Sequence, residues 1–138
     1  MINNVVIVGR LCQDPSFLAL PNGINVCNLT LAVTRPFKDM NTGEYGVDFI
    51  NVSLWYGISK IAYDYTSKGD TVGIKGRLIS RQREVNGTKI TTLELIGERI
   101  AFIQLKKNKD GLKLVEEAAI DNQNITSEDY DIIDEWSY

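Results

Sequence analysis

Histidine is absent from the 138 residues, which excludes every mechanism that uses imidazole as base, proton shuttle or metal ligand. Cysteine occurs twice, as Cys12 and Cys27, without Cys-x-x-Cys spacing. Two such thiols cannot build a structural zinc site alone, and they are expected to be free in a reducing cytoplasm. Long apolar runs are also missing. The start, Met1-Ile2-Asn3-Asn4 followed by Val5 to Val8, is too short for a signal peptide, and no stretch approaches membrane-spanning length. A cytoplasmic, nucleoid-associated location and no membrane partner are therefore expected. Asp14, Asp48, Asp64 and Asp70 sit at turn or helix positions with nothing pairing them as acid and base, so capping and solvation account for them more simply. With no nucleophile, metal set or acid–base pair to assemble, no enzyme, no metal and no cofactor is expected.

A hydrophobic content of 43% with 24% charged residues is a globular composition, and the length suits one domain with a tail. The formal charge of −3 appears unfavourable for holding phosphates, but it conceals a division. Residues 1–109 carry 14 basic and 9 acidic side chains, net +5, and residues 110–138 carry 1 and 9, net −8. The expected organisation is a mildly basic domain over 1–107 and an acidic, disordered tail over 108–138.

Strand patterns dominate the first part. Asn4 to Leu11 is a Val/Ile run ending in Gln13-Asp14-Pro15, a turn signal. After Pro21-Asn22-Gly23, Cys27, Leu29, Leu31 and Val33 alternate with Asn28, Thr30 and Ala32, a strand with one buried face that Pro36 is expected to end. Asn41-Thr42-Gly43 marks the tip of a long hairpin leading into residues 47–56. There Ile50, Val52 and Leu54 share one face, and Phe49, Asn51, Ser53 and Trp55 share the other. Ile58, Ile61, Ala62 and Tyr65 follow helical spacing, with Lys68-Gly69 closing the helix. Period two returns over 71–80, with Val72, Ile74 and Leu78 inward and Lys75 and Arg77 outward. Asn86-Gly87 then predicts a hairpin into residues 90–96 and a last segment at 100–105. Three strands, one helix and two or three more strands predict a small closed or partly closed barrel.

Phe49 and Trp55 on a polar strand face need a reason, because large rings there meet solvent. Bases stack on such rings for about 1–3 kcal/mol each, whatever the sequence. A second apolar surface, such as a subunit interface, would explain the rings equally, and would make the barrel a scaffold of an interaction protein. Lys75, Arg77, Arg81 and Arg83 share one parity with no acid on it, a stripe suited to tracking a phosphate backbone. Phe37, Lys38 and Tyr45 repeat the pairing of ring and cation on the other hairpin. Gly69, Gly73 and Gly76 match no phosphate-binding loop and lie inside a strand pattern, where bends and close backbone approach explain glycine. The end of the chain, Tyr130 to Tyr138, interleaves apolar residues with acids in the manner of a short docking peptide.

Taken together, Asn3-Asn4-Val5-Val6-Ile7-Val8-Gly9-Arg10-Leu11, Asp14-Pro15, Pro21-Asn22-Gly23, Asn28-Leu29-Thr30-Leu31-Ala32-Val33, Phe49-Ile50-Asn51, Lys68-Gly69-Asp70 and Gly76-Arg77-Leu78 followed by Arg81 resemble the bacterial and phage single-stranded DNA-binding proteins. The likeness runs in order through residues 1–105. It implies an all-β OB-fold, a five-stranded Greek-key barrel with one helix between the third and fourth strands. It also implies a homotetramer and sequence-independent binding of single-stranded DNA in replication, recombination and repair. The resemblance places base stacking on Phe37, Phe49 and Trp55. Arg10, Arg35, Lys38, Lys75, Arg77, Arg81 and Arg83 are the expected phosphate contacts, and Arg83 stands where some members carry tryptophan. Family tails usually end in acids followed by proline and phenylalanine, whereas this one ends Asp131-Ile132-Ile133-Asp134-Glu135-Trp136-Ser137-Tyr138. Those tail residues, Ser137 apart, are the candidate docking site for replication and repair proteins. An OB-fold module for RNA, or an accessory protein of replication restart, is the alternative.

Overall fold

β-branched residues on alternating positions build strands wherever one face can be buried. In the computed structural model, which describes residues 1–105, these are β1 (Val5–Leu11), β2 (Ser16–Ala19), β3 (Asn25–Lys38), β4 (Tyr45–Trp55), β5 (Thr71–Val85) and β6 (Thr88–Gln104), with helix α1 (Gly57–Tyr65) between β4 and β5. The ring of pairings runs β1–β5–β6–β4–β3 and closes through Arg10 and Leu11 of β1 against Ala32 and Leu31 of β3. β4 and β6 are the parallel pair, with Val52 opposite Leu95 and Leu54 opposite Gly97. The closed five-stranded barrel with one helix before its fourth strand is the expected architecture, and β2 adds a short outer strand on β3.

The barrel interior is filled by the predicted inward parity. Cys27, Leu29 and Leu31 of β3 meet Val52 and Leu54 of β4, Val72 and Ile74 of β5, and Leu95 and Ile100 of β6. Ile58 and Ala62 of α1 are buried in the same cluster. A second, smaller core gathers Leu20, Ile24, Val26, Trp55 and Ile96, with Tyr56 and Ile79 packed against it. Asp14 and Asp70 have the structural roles expected of them: Lys68 N–H donates to Asp14, and Ser67 N–H to Asp70.

Several boundaries differ from the sequence expectation. β3 continues past Pro36 to Lys38, because the proline falls in an irregular stretch between Thr34 and Lys38 where its missing N–H removes no regular ladder bond. The segments at 90–96 and 100–105 are one strand, interrupted by a bulge at which Lys75 faces Arg99 and Gly76 faces Gly97. Beyond that bulge the burial parity of β5 inverts, so Leu78, expected inward, is 41% exposed while Arg81 is buried. The extra residue, Glu98, is on β6, so β5 keeps its alternation; past the bulge its other face is the one covered, with Ile79 packed on the second core and Arg81 against Glu94. Gly76 lies at this crossing: a Cβ there would overlap the Ile96 carbonyl, which accounts for glycine by close backbone approach. α1 ends at Tyr65, before the Lys68-Gly69 turn, and Thr66 turns its N–H back to the Ala62 carbonyl. The expected domain boundary at 107 and the tail, with its docking residues Asp131, Ile132, Ile133, Asp134, Glu135, Trp136 and Tyr138, lie outside the described residues.

Candidate nucleic-acid interface

The outward parity of β3 and β4 forms the floor of a groove of about 730 Å³. Asn28 and Thr30 of β3 face Ser53 and Asn51 of β4 in register. Two cross-strand hydrogen bonds lock these pairs: the Thr30 hydroxyl donates to Asn51 Oδ1 at 3.0 Å, and the Ser53 hydroxyl to Asn28 Oδ1 at 2.9 Å. With the hydroxyls serving the amide oxygens, the NH2 groups of Asn28 and Asn51 remain donors for a ligand. Phe49 stands on the same floor with 70% of its surface exposed. Leu18 and Leu20 border the groove on one side, and Arg83, Thr92, Leu93 and Glu94 of the β5–β6 hairpin border it on the other.

The structure sorts the predicted residues into groups. Phe49 lines the groove, and Phe37 lies 66% exposed on the β3–β4 hairpin. Lys38 Nζ sits 5.5 Å from the ring centroid of Tyr45 on that hairpin. Trp55 differs from Phe49 in exposure. It shares the face of Phe49 as expected and borders the groove, but its ring is 0% exposed within the second core. Leu20, Ile24 and Val26 reach it from the β2–β3 segment.

β6 supplies acids to the basic stripe. Arg77 Nε lies 3.7 Å from Glu98, Arg81 Nε lies 3.1 Å from Glu94, and Arg83 Nη2 lies 3.3 Å from the other Glu94 oxygen. Arg81 is buried and does not line the groove. Arg35 is engaged by Asp48, whose Oδ1 lies 2.7 Å from its Nη2. That hydrogen bond, reinforced by the charge, holds the Asp48 carboxyl below its usual range and raises the Arg35 guanidinium further. Arg10 is exposed in register with Ala32 of β3, which itself faces Phe49 of β4, whereas the exposed Lys75 pairs with Val6 of β1 and Arg99 of β6. The groove residues that sequence reasoning overlooked, Asn28, Thr30 and Glu94, had a signal: each is polar on a strand whose alternate positions are apolar.

A closed five-stranded barrel with a polar, ring-bearing groove over its second and third strands, walled by a hairpin, defines an OB-fold of the oligonucleotide-binding class. The family model described as single-strand binding protein family matches residues 2–103, and the chain belongs to that family. It is similar to a single-stranded DNA-binding protein of Halalkalibacterium halodurans, 39% identical over 105 residues, or 75% of this chain and 62% of that protein. Single-stranded DNA-binding protein 3 of Listeria innocua is 38% identical over 112 residues, 80% of this chain and 69% of that protein. Single-stranded DNA-binding protein 2 of Staphylococcus aureus is 38% identical over 109 residues, 78% of each chain. The chain thus spans less than two thirds of the Halalkalibacterium protein. Among the described residues, no helix is long and apolar enough to cross a membrane, and no three metal-ligating side chains gather.

Proposed function

We propose that this chain binds single-stranded DNA without regard to sequence, as a non-enzymatic component of DNA replication, recombination and repair acting on the nucleoid in the cytoplasm. The observation that carries this is the Phe49 ring, open to solvent over a floor of Asn28, Thr30, Asn51 and Ser53 between two raised walls. A base stacks on a ring whatever its identity, while the amide donors meet its edge. Phe37 extends the stacking surface along the β3–β4 hairpin, and Lys38 beside it meets phosphate. Arg10, in register with Ala32 and through it with Phe49, meets phosphate beside the ring, and Lys75 and Arg77 serve phosphates where the strand leaves the groove. Assembly as a homotetramer is supported by an apolar outer face: Val6 and Val8 of β1 and Ile103 of β6 are all more than half exposed. The acidic end of the chain, residues 131–138, docks partner proteins of replication and repair.

Titration of the full chain with fluorescent oligo-dT across a salt series tests the reading. Log affinity falls with log salt at roughly −0.7 per phosphate neutralised. An affinity independent of salt, or no binding at low salt, contradicts it. Competition by oligo-U at equal strength would favour the RNA-binding alternative.

A further inference from the structure

The β5–β6 wall of the groove carries an acid where a polyanion is to lie. Glu94 sits between two arginines, with Oε2 3.1 Å from Arg81 Nε and Oε1 3.3 Å from Arg83 Nη2. The Arg81 side chain is 4% exposed, that of Glu94 15% and that of Arg83 26%. Both Glu94 and Arg83 line the groove, together with Thr92 on the same face of the hairpin. Pairs so withdrawn from water are screened little by salt, and separating them leaves a buried charge uncompensated. A phosphate brought to this wall would have to take Arg83 from Glu94 and then sit beside the carboxylate.

Resting on the DNA-binding reading above, we propose that Glu94 is a positioning residue that turns this wall toward bases. It holds Arg81 and Arg83 out of the phosphate path, so the phosphates of the bound strand lie away from the β5–β6 hairpin and its bases face Arg83 and Thr92. Two cations that a strand pattern assigns to phosphate contact then add nothing to the salt dependence.

The test is the salt slope of oligo-dT binding by the full chain in wild-type, Arg83→Gln and Glu94→Gln forms. The expected result is a slope unchanged in Arg83→Gln, with Glu94→Gln steeper by about 0.7 for each cation released and tighter in binding at low salt. A slope flattened by about 0.7 in Arg83→Gln, as loss of a phosphate contact requires, overturns the proposal. An unchanged slope in a folded Glu94→Gln protein overturns it equally. Should Glu94→Gln fail to fold because Arg81 loses its counter-charge, the Arg83→Gln slope decides alone. A wild-type chain that does not bind oligo-dT at low salt removes the DNA-binding reading itself. Wild-type binding with a flattened Arg83→Gln slope removes only the assignment to Glu94.

Discussion

Phe49 and Trp55 lie on one face of β4 and differ in what covers them. Replacing Phe49 by alanine should weaken oligo-dT binding about tenfold, the order expected for one stacked base, with the melting temperature nearly unchanged because the ring is mostly in solvent. Unchanged affinity would show that no base stacks there. The shared face was legible from strand parity; the burial of Trp55 was not, because Leu20 and Ile24 come from a distant segment and parity along one strand cannot register them. The same limit hid Glu94 from the arginine stripe, since the acid arrives from the neighbouring strand. Cys27 illustrates the opposite case, a buried position that alternation marked correctly. Burial pushes its thiol up to about 12 from 9.0. The folded protein therefore keeps a proton that the unfolded chain releases above pH 9.0, and the stability linked to this group is full below that pH and lost as the pH rises toward 12. At pH 8 a thiol reagent should modify the half-buried Cys12 and spare Cys27 until the chain is denatured; immediate reaction of both would contradict the packing.

At the scale of elements, β1, β3 and β4 were readable because each keeps one buried face throughout the barrel. β2, with four residues, is too short for a period to show, and β5 changes its buried face at the bulge opposite Gly76. The glycines of β5 separate on this basis. A methyl group on Gly76 would strike the backbone carbonyl of Ile96, which cannot swing aside, whereas at Gly73 the nearest atoms lie 3.5–3.7 Å away in ordinary contact. Gly76→Ala is expected to cost about 3 kcal/mol, at the upper end for overpacking, and Gly73→Ala far less. Urea unfolding of both variants checks this; equal midpoints would mean that the β5–β6 crossing is looser than described.

For the whole molecule, the net charge of −3 was the least informative number, because it adds a basic domain to an acidic end. The barrel and its helix followed from the order of periodic segments, but the placement of the groove required the closure of β1 onto β3 and the height of the β5–β6 hairpin, which depend on contacts far apart in sequence. The two sides of the barrel then differ in kind: a polar groove with an open ring over β3 and β4, and an apolar face on β1 and β6. Photo-crosslinking with oligo-dT carrying 4-thiothymidine, followed by mapping of the modified peptides, distinguishes them most directly. Crosslinks at Phe49 and its neighbours within residues 45–53 are the expected result; crosslinks confined to residues 5–8 and 99–103 would place the DNA on the opposite face and contradict the account.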